Sequence, residues 1–423
     1  MAQATVAAAV ARQVHCDQNI LYAGGIAYDL SRYSEVCIIS IGKAGATLFD
    51  AIDVLLPSGL ARCAMVCAPS PPQRVGEHLQ YFAGGHPEPN GASLAAARAA
   101  LDAVRACASD ALVLLLISGG ASAMCELPLS DTVSLDDLIA LNRLLIGSGA
   151  SIAEINAVRK HFSRIKGGRL ALAAGERDKL TLLISDVPDT ALDALGSGPS
   201  LPDTSTVADC LAVLDRFGLL QRLPPSFRAL IDAGLEETPK ADAPAFRNAH
   251  AAVLLGNATI LEEAARAATA LGYVVTVDNS CDDQEYRAAA DYLLGRLAAL
   301  QGEADRVCLL SGGEVTVLLP DSPGVGGRNQ QFCLHCAAVA MPPNVTILSA
   351  GTDGIDGHSD AAGAVVDATT QPRGRGLGFA MQPHLDRCDA GTYLAAVGDT
   401  IVTGPTGNNL RDVRILLSNR AEH

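Results

Sequence analysis

No tryptophan occurs among the 423 residues, no apolar run is long enough to cross a bilayer, and no dense tract of lysine and arginine is present. The longest strongly apolar run, ALVLLLI at 111–117, falls far short of a membrane span. No charged stretch followed by an apolar one opens the chain, so no secretory leader is read there and a cytoplasmic location is expected. Forty-six acidic against 31 basic side chains leave a net charge of −15, which disfavours nucleic acid and anionic membranes as partners. Small molecules are the expected partners, with the protein a monomer or a homodimer.

Three familiar signatures are missing as well. Neither Gly-x-x-x-x-Gly-Lys-Ser/Thr nor Gly-x-Gly-x-x-Gly occurs, so a bound nucleotide would be held without a P-loop or a dinucleotide fingerprint. Gly-x-Ser-x-Gly is absent too, which counts against the nucleophile elbow of an α/β-hydrolase. The 12 cysteines are scattered, often inside apolar runs, as free thiols of a reducing compartment are. Cys333 and Cys336 have Cys-x-x-Cys spacing but no second pair at zinc-ribbon distance, and they read as core thiols on one helix face.

What is present is 40 glycines, 49% hydrophobic and only 18% charged residues, the composition of a folded, loop-rich globular chain. The length exceeds what one hydrophobic core usually serves, so two domains are expected. Four prolines and a cluster of acids at 222–247 place the boundary there, giving domains 1–240 and 241–423. Six apolar runs end in small or polar residues: 36–42, 112–120, 180–186, 251–257, 306–313 and 345–354. Alternating with alanine-rich helical stretches, they predict an α/β protein with two Rossmann-like, mostly parallel sheets, whose ligands sit beyond the carboxyl ends of the strands.

Those run ends carry the candidate chemistry. Ser118-Gly119-Gly120, with Ser122 just beyond, and Ser311-Gly312-Gly313 allow backbone N–H groups to approach an anion, or simply make tight turns. Lys43 in SIGKAG and Arg328 in GVGGRNQQ are cations beside glycines, and Arg328 is placed to open a helix. Asp186, Asp189 and Glu314 follow strands, where carboxylates bind a hydroxyl or magnesium or cap the next helix. Asp353, Asp356 and Asp360, set among glycines, fail the EF-hand spacing. Magnesium bridged to phosphates suits them better, and a plain turn remains an equal reading. A helix from Ser151, with Glu154 completing a capping box and Gly167 as its end, carries Ile152, Ile155, Val158, Phe162 and Ile165 on one side. Arg159, Lys160, His161, Arg164 and Lys166 form the other side, read either as a solvated cationic face or, for Lys166, as a phosphate contact.

Taken together, GKAG, GGHPEPN (84–90), LLISGGASA, 155–171, 183–206, LLSGGEVTV, GVGGRNQ, GTDGIDGHSDAAGAVVD and 402–417 resemble the type II glycerate kinases, whose C-terminal part is called the MOFRL domain. The resemblance covers nearly the whole chain, in family order. It implies transfer of the ATP γ-phosphoryl group to D-glycerate, usually at the 2-hydroxyl, with Mg2+ and a cleft between two α/β domains. It also implies Lys43 and Arg328 as catalytic residues, and His86, Lys166, Asn257 and Asn329 as substrate or nucleotide contacts beside the two Ser-Gly-Gly turns and Glu314. The candidate metal ligands, read from their places after strands and among glycines, are Asp186, Asp189, Asp353 and Asp356. One departure is Ala121, where the family often has a third glycine; its methyl group is expected to narrow the turn or alter nucleotide preference. Two other functions compete: a nicotinamide-dependent hydroxypyruvate reductase, against which the missing dinucleotide fingerprint counts, and a non-catalytic binder of small acids.

Overall fold

A computed structural model describes residues 5–74, 76, 78–339, 341–406 and 409–419. The chain forms two compact units, Met1–Leu255 and Gly256–His423. Among the described residues, no helix is long and apolar enough to cross a membrane.

The first unit is built on six parallel strands: β1 Glu35–Ile41, β2 Ala61–Cys67, β3 Leu79–Phe82, β4 Leu112–Ser118, β5 Asp178–Ile184 and β6 Ala249–Leu255. Their order across the sheet is β3-β2-β1-β4-β5-β6. All seven residues of β4 are buried, which explains why an unbroken apolar run, rather than an alternating one, marks a strand covered on both faces. The stretch 222–247 does not separate the units as expected, because β6 follows it and pairs in parallel with β5, Lys179 opposite Ala249. The division therefore falls at Leu255/Gly256. A small antiparallel sheet of Val14–Asp17, Ile20–Ala23 and Ile26–Asp29 precedes β1 and was not legible as a separate sheet.

In the second unit β7 Val274–Val277, β8 Arg306–Gly312, β9 Val345–Gly351, β10 Gly363–Asp367, β11 Thr400–Ile401 and β12 Asp412–Asn419 stand in the order β7-β8-β12-β9-β10-β11. The α/β class holds, but this sheet is mixed: β7 and β8 pair in parallel, and every other neighbouring pair is antiparallel. The cause is the last strand, which inserts between β8 and β9 and runs against both. All six apolar runs read from the sequence are strands, four in the first sheet and two in the second. All 12 cysteines are free, and Cys333 and Cys336 lie in the core.

Four helices bear on the sites: α1 Gly45–Asp53, α2 Ile152–His161, α3 Asn257–Ala270 and α4 Arg328–Ala338. In α2 the capping box forms, with the Glu154 amide donating to Ser151 and the Ser151 amide to Glu154. Ile155, Val158 and Phe162 pack into a cluster with Leu141, Leu214 and Phe227, while Ile152 stays exposed. The helix ends at His161 instead of Gly167. Ser163 stops it by accepting the amides of Ile165 and Lys166 and donating to Glu126 at 2.6 Å.

The cationic face of α2 is not solvated. Lys160 is buried, its Nζ 2.7 Å from Asp193 and 3.0 Å from Asp203. His161 is buried as well, with Nδ1 against the Ala157 carbonyl. Lys166, 1% exposed, is in direct contact with the buried Glu126 carboxylate. Burial works against its ammonium charge, so Glu126 is the compensating partner, and the phosphate-contact reading of Lys166 gives way to a structural one. Lys166→Met should therefore strand the Glu126 charge and lower unfolding stability by about 3–5 kcal/mol, with Lys166→Met/Glu126→Gln recovering most of it in urea titrations. Unchanged stability with lost activity would instead restore Lys166 as a ligand contact.

Candidate functional sites

In the first unit the strand order reverses between β1 and β4: the chain proceeds to β2 and β3 on one side and to β5 and β6 on the other. A crevice outside the carboxyl ends of the two strands follows from that reversal, and it is the usual ligand position of such sheets. Gly42-Lys43 leaves β1 and Ser118-Gly119-Gly120 leaves β4 at this point. The two loops are stitched together by the Lys43 amide donating to the Gly119 carbonyl at 2.9 Å and the Ala44 amide to Ser118 Oγ at 3.0 Å. Gly42 has φ 120°, and a Cβ there would collide with Ser118, so only glycine lets the loops approach this closely.

The Lys43 side chain is exposed and has no ion-pair or hydrogen-bond partner among the described residues. It lies beside His86 over Gly120, where an added Cβ would meet His86 Cδ2 at 3.0 Å and Lys43 Cγ at 3.1 Å. Burial, and then the Lys43 charge, hold the His86 pKa below its ordinary value, so its imidazole is neutral at pH 7. Asp186 packs directly over Gly119. Lys43, His86, Gly119, Gly120 and Asp186 are thus brought together.

Ser118 and Ser122 turn out to be tethers. Ser118 is buried and accepts from the backbone after β1, and Ser122 Oγ is 2.8 Å from Ser197 Oγ, which donates to Asn156. Ala121 is buried in the core beneath the turn, so its methyl group does not narrow the ligand side. The side chain of Asp189 lies outside the described part of the structure.

In the second unit Arg328 is the first residue of α4 and is gripped from one edge. Its Nε donates to Asp412 Oδ2 at 2.6 Å, its Nη2 to Asp412 Oδ1 at 3.1 Å, and Nη2 is 2.7 Å from Glu314 Oε1. Nη1 keeps no partner among the described residues. Burial opposes the guanidinium charge, but Asp412 outweighs it and holds the pKa above its ordinary value. Burial pushes the Glu314 carboxyl up, with Arg328 opposing. Arg328 lines a groove of about 590 Å³ with Gly326, Gly327, Asp353, Asp356 and His358. A neighbouring groove of about 680 Å³ shares Ile355, Gly357 and His358 with it, and both have the size of small-ligand sites.

Several sequence candidates here are structural. Asp356 serves the fold: it is 2% exposed, and its oxygens accept the Asn329 and Gln330 amides at 3.0 and 2.8 Å, capping α4. Gly327 permits this, since a Cβ would overlap Asp356. Asn329 is buried between Asp356 and Ser349. Asn257 opens α3 and donates to the carbonyls of Leu410 and Asp412, both at 2.9 Å. Ser311 is buried, and the amides of Gly312 and Glu314 are already given to Asn279 and Asp282, so this second Ser-Gly-Gly turn offers few free donors. Asp353 remains half-buried in the groove with one oxygen accepting the Ile355 amide at 3.2 Å. Among the described residues no three His, Cys, Asp or Glu side chains group as metal ligands.

With this geometry in place, the family models divide the chain in the same sense: residues 1–232 match the domain of unknown function DUF4147 and residues 307–412 the MOFRL family. A protein of Pyrococcus horikoshii named glycerate 2-kinase is 34% identical over 90% of this chain and 87% of its own. A solved glycerate kinase of Thermotoga maritima superposes with a TM-score of 0.80 at 32% identity, covering 92% of each chain. The chain belongs to the glycerate kinase family. A relative from Agrobacterium vitis, 36% identical over 90% of this chain and 86% of its own, carries the provisional name of a hydroxypyruvate reductase.

Sequence reasoning missed Asp412, Arg411 and Asp282 in this glycerate kinase family member. Arg411 grips Asp282 through both nitrogens at 2.6 Å. The signal available was Arg-Asp-x-Arg at 411–414 inside a matched segment, charges in what is otherwise a strand pattern.

Asp356 also sets a pH dependence. Burial raises its pKa from 3.8 to about 6, against the pull of the capping amides. The folded state therefore holds this proton more tightly than the unfolded chain, and the group's stabilising effect is present below about pH 4 and lost as pH rises to about 6. Compared with Asp356→Asn in urea titrations, the parent should lose on the order of 1–3 kcal/mol between pH 4 and 6.5. A constant difference would mean that the helix amides keep the carboxylate charged throughout.

Proposed function

We propose that this protein transfers the γ-phosphoryl group of ATP to D-glycerate, at the 2-hydroxyl. The observation that carries this reading is the match, across nine-tenths of the chain, to a protein named glycerate 2-kinase. The chemistry of the loops supports it. Phosphoryl transfer asks for alignment and positive charge more than for covalent help, because the hydroxyl oxygen forms its bond to phosphorus as the bond to ADP breaks.

Lys43 supplies a compact ammonium that no carboxylate among the described residues neutralises, suited to oxygens of a transferring phosphoryl group. His86, held neutral, is a hydrogen-bonding group for a hydroxyl beside it. Arg328 offers the two N–H donors of Nη1, suited to a carboxylate or phosphate oxygen. Mg2+ bound with ATP would neutralise phosphate oxygens. Asp353, half-buried in the Arg328 groove, fits as its protein ligand better than the helix-capping Asp356, and one or two carboxylates are what magnesium sites usually take.

The reductase reading has no geometric support of its own. The loop after β1 is Gly42-Lys43-Ala44-Gly45, without the three-glycine fingerprint that holds a pyrophosphate. Purified protein given D-glycerate, ATP and magnesium should release ADP and yield 2-phosphoglycerate by phosphorus NMR, and should not oxidise NADH with hydroxypyruvate. Lys43→Ala and Arg328→Ala should each lower kcat/KM by roughly a hundredfold or more. Calorimetric binding of glycerate without ADP release would favour the non-catalytic binder, and near-normal turnover of both variants would remove these residues from the reaction.

A further inference from the structure

We infer that Asp412 is the positioning residue of Arg328, an inference that rests on Arg328 serving the reaction proposed above. An arginine side chain has many rotamers, and an unrestrained guanidinium at the rim of a groove would lose that freedom on each binding event. Here the cost is met in the fold. Asp412 is 1% exposed and takes the Nε and Nη2 edge of Arg328 with both oxygens, which fixes the guanidinium plane and leaves Nη1 as the end without a partner among the described residues.

Asp412 cannot drift, because its own place is set from three directions. It is the first residue of β12 and stands opposite Gly351, the last residue of β9. Asn257 holds its carbonyl and that of Leu410. Two residues along the same face of the strand, Arg414 is fully buried, with Nη2 3.8 Å from Asp412 Oδ2. Arg414 also donates to the carbonyls of Gly312 and Gly313 at 3.3 and 3.2 Å, and its guanidinium lies 5.4 Å from the centre of the Phe332 ring. The buried carboxylate thus sits between two guanidinium groups, one sealed in the core and one at the groove. That arrangement compensates its charge while transmitting the position of the sheet to Arg328. Glu314 touches the same Nη2 but is itself half-buried on the loop after β8, so it adds a contact without an equivalent anchor.

A role exercised through Arg328 differs from a merely structural one in how the two positions combine. Asp412→Asn should lower kcat/KM roughly 10- to 100-fold, since small misplacement of a charge-bearing group is costly. In an Arg328→Ala background the same substitution should add less than about twofold, because there is no guanidinium left to position. Methylguanidinium added in solution should raise the turnover of Arg328→Ala several-fold but leave Arg328→Ala/Asp412→Asn unchanged. The double variant removes one charge of each sign, so this comparison stands even where Asp412→Asn alone folds poorly. Equal losses in both backgrounds, or equal rescue of both alanine variants, would overturn the role of Asp412 while leaving Arg328 in the reaction. Near-normal turnover of Arg328→Ala would overturn the reading of Arg328 itself, and this inference with it.

Discussion

Hydrogen bonding of the last strand to neighbours on both sides fixes where the charged groups of the second unit stand. β12 pairs with β8 from Arg306–Asn419 to Gly312–Val413 and with β9 from Val345–Ser418 to Gly351–Asp412. A strand held along both edges has no freedom to slip, since a one-residue shift would turn every side chain to the other face. Asp412 and Arg414 inherit that rigidity. The loops after β8 and β9 are then read against the same ruler: Arg414 holds the carbonyls of one, and Asp412 stands opposite the last residue of the other.

The two candidate cations solve opposite problems. Among the described residues Lys43 has no counter-charge, and it stands exposed at the strand-order reversal of the first sheet, where water screens it until a ligand arrives. A flexible point charge suits that setting. Arg328 is partly buried and would be unstable as a bare charge, so two carboxylates accompany it. Its planar shape allows one edge to be spent on Asp412 while the remaining nitrogen has no partner among the described residues, which an ammonium could not do with the same directionality.

Burial of charge recurs elsewhere, each time with a partner. Lys160 meets Asp193 and Asp203, and Lys166 meets Glu126. Asp356 meets the positive end of α4 through two backbone amides, which explains why a glycine-flanked aspartate that reads as a metal ligand serves as a helix cap. An isolated sequence position does not reveal whether a carboxylate's oxygens are already taken. In the 348–363 stretch the two behaviours are three residues apart: Asp356 is spent on the helix, and Asp353 keeps one oxygen without a hydrogen bond among the described residues.

By itself the sequence determined the strands whose two faces are covered, because unbroken apolar runs can lie only in such strands or in buried helices, and the glycines and polar residues at their ends marked the loops around Lys43, Ser118 and Arg328. It also determined the start of α2, since Ser151 and Glu154 are local partners. It did not determine where α2 stops, which depends on Ser163 reaching Glu126 across 37 residues. Nor did it reveal that the second sheet is mixed, that the cations of α2 face inward, or that Asp412 belongs to Arg328, 84 residues away. Periodicity and capping are short-range and can be read along the chain. Strand insertion and the pairing of buried charges are decided only when distant segments share one sheet, because the free energy of a charge depends on what surrounds it in space.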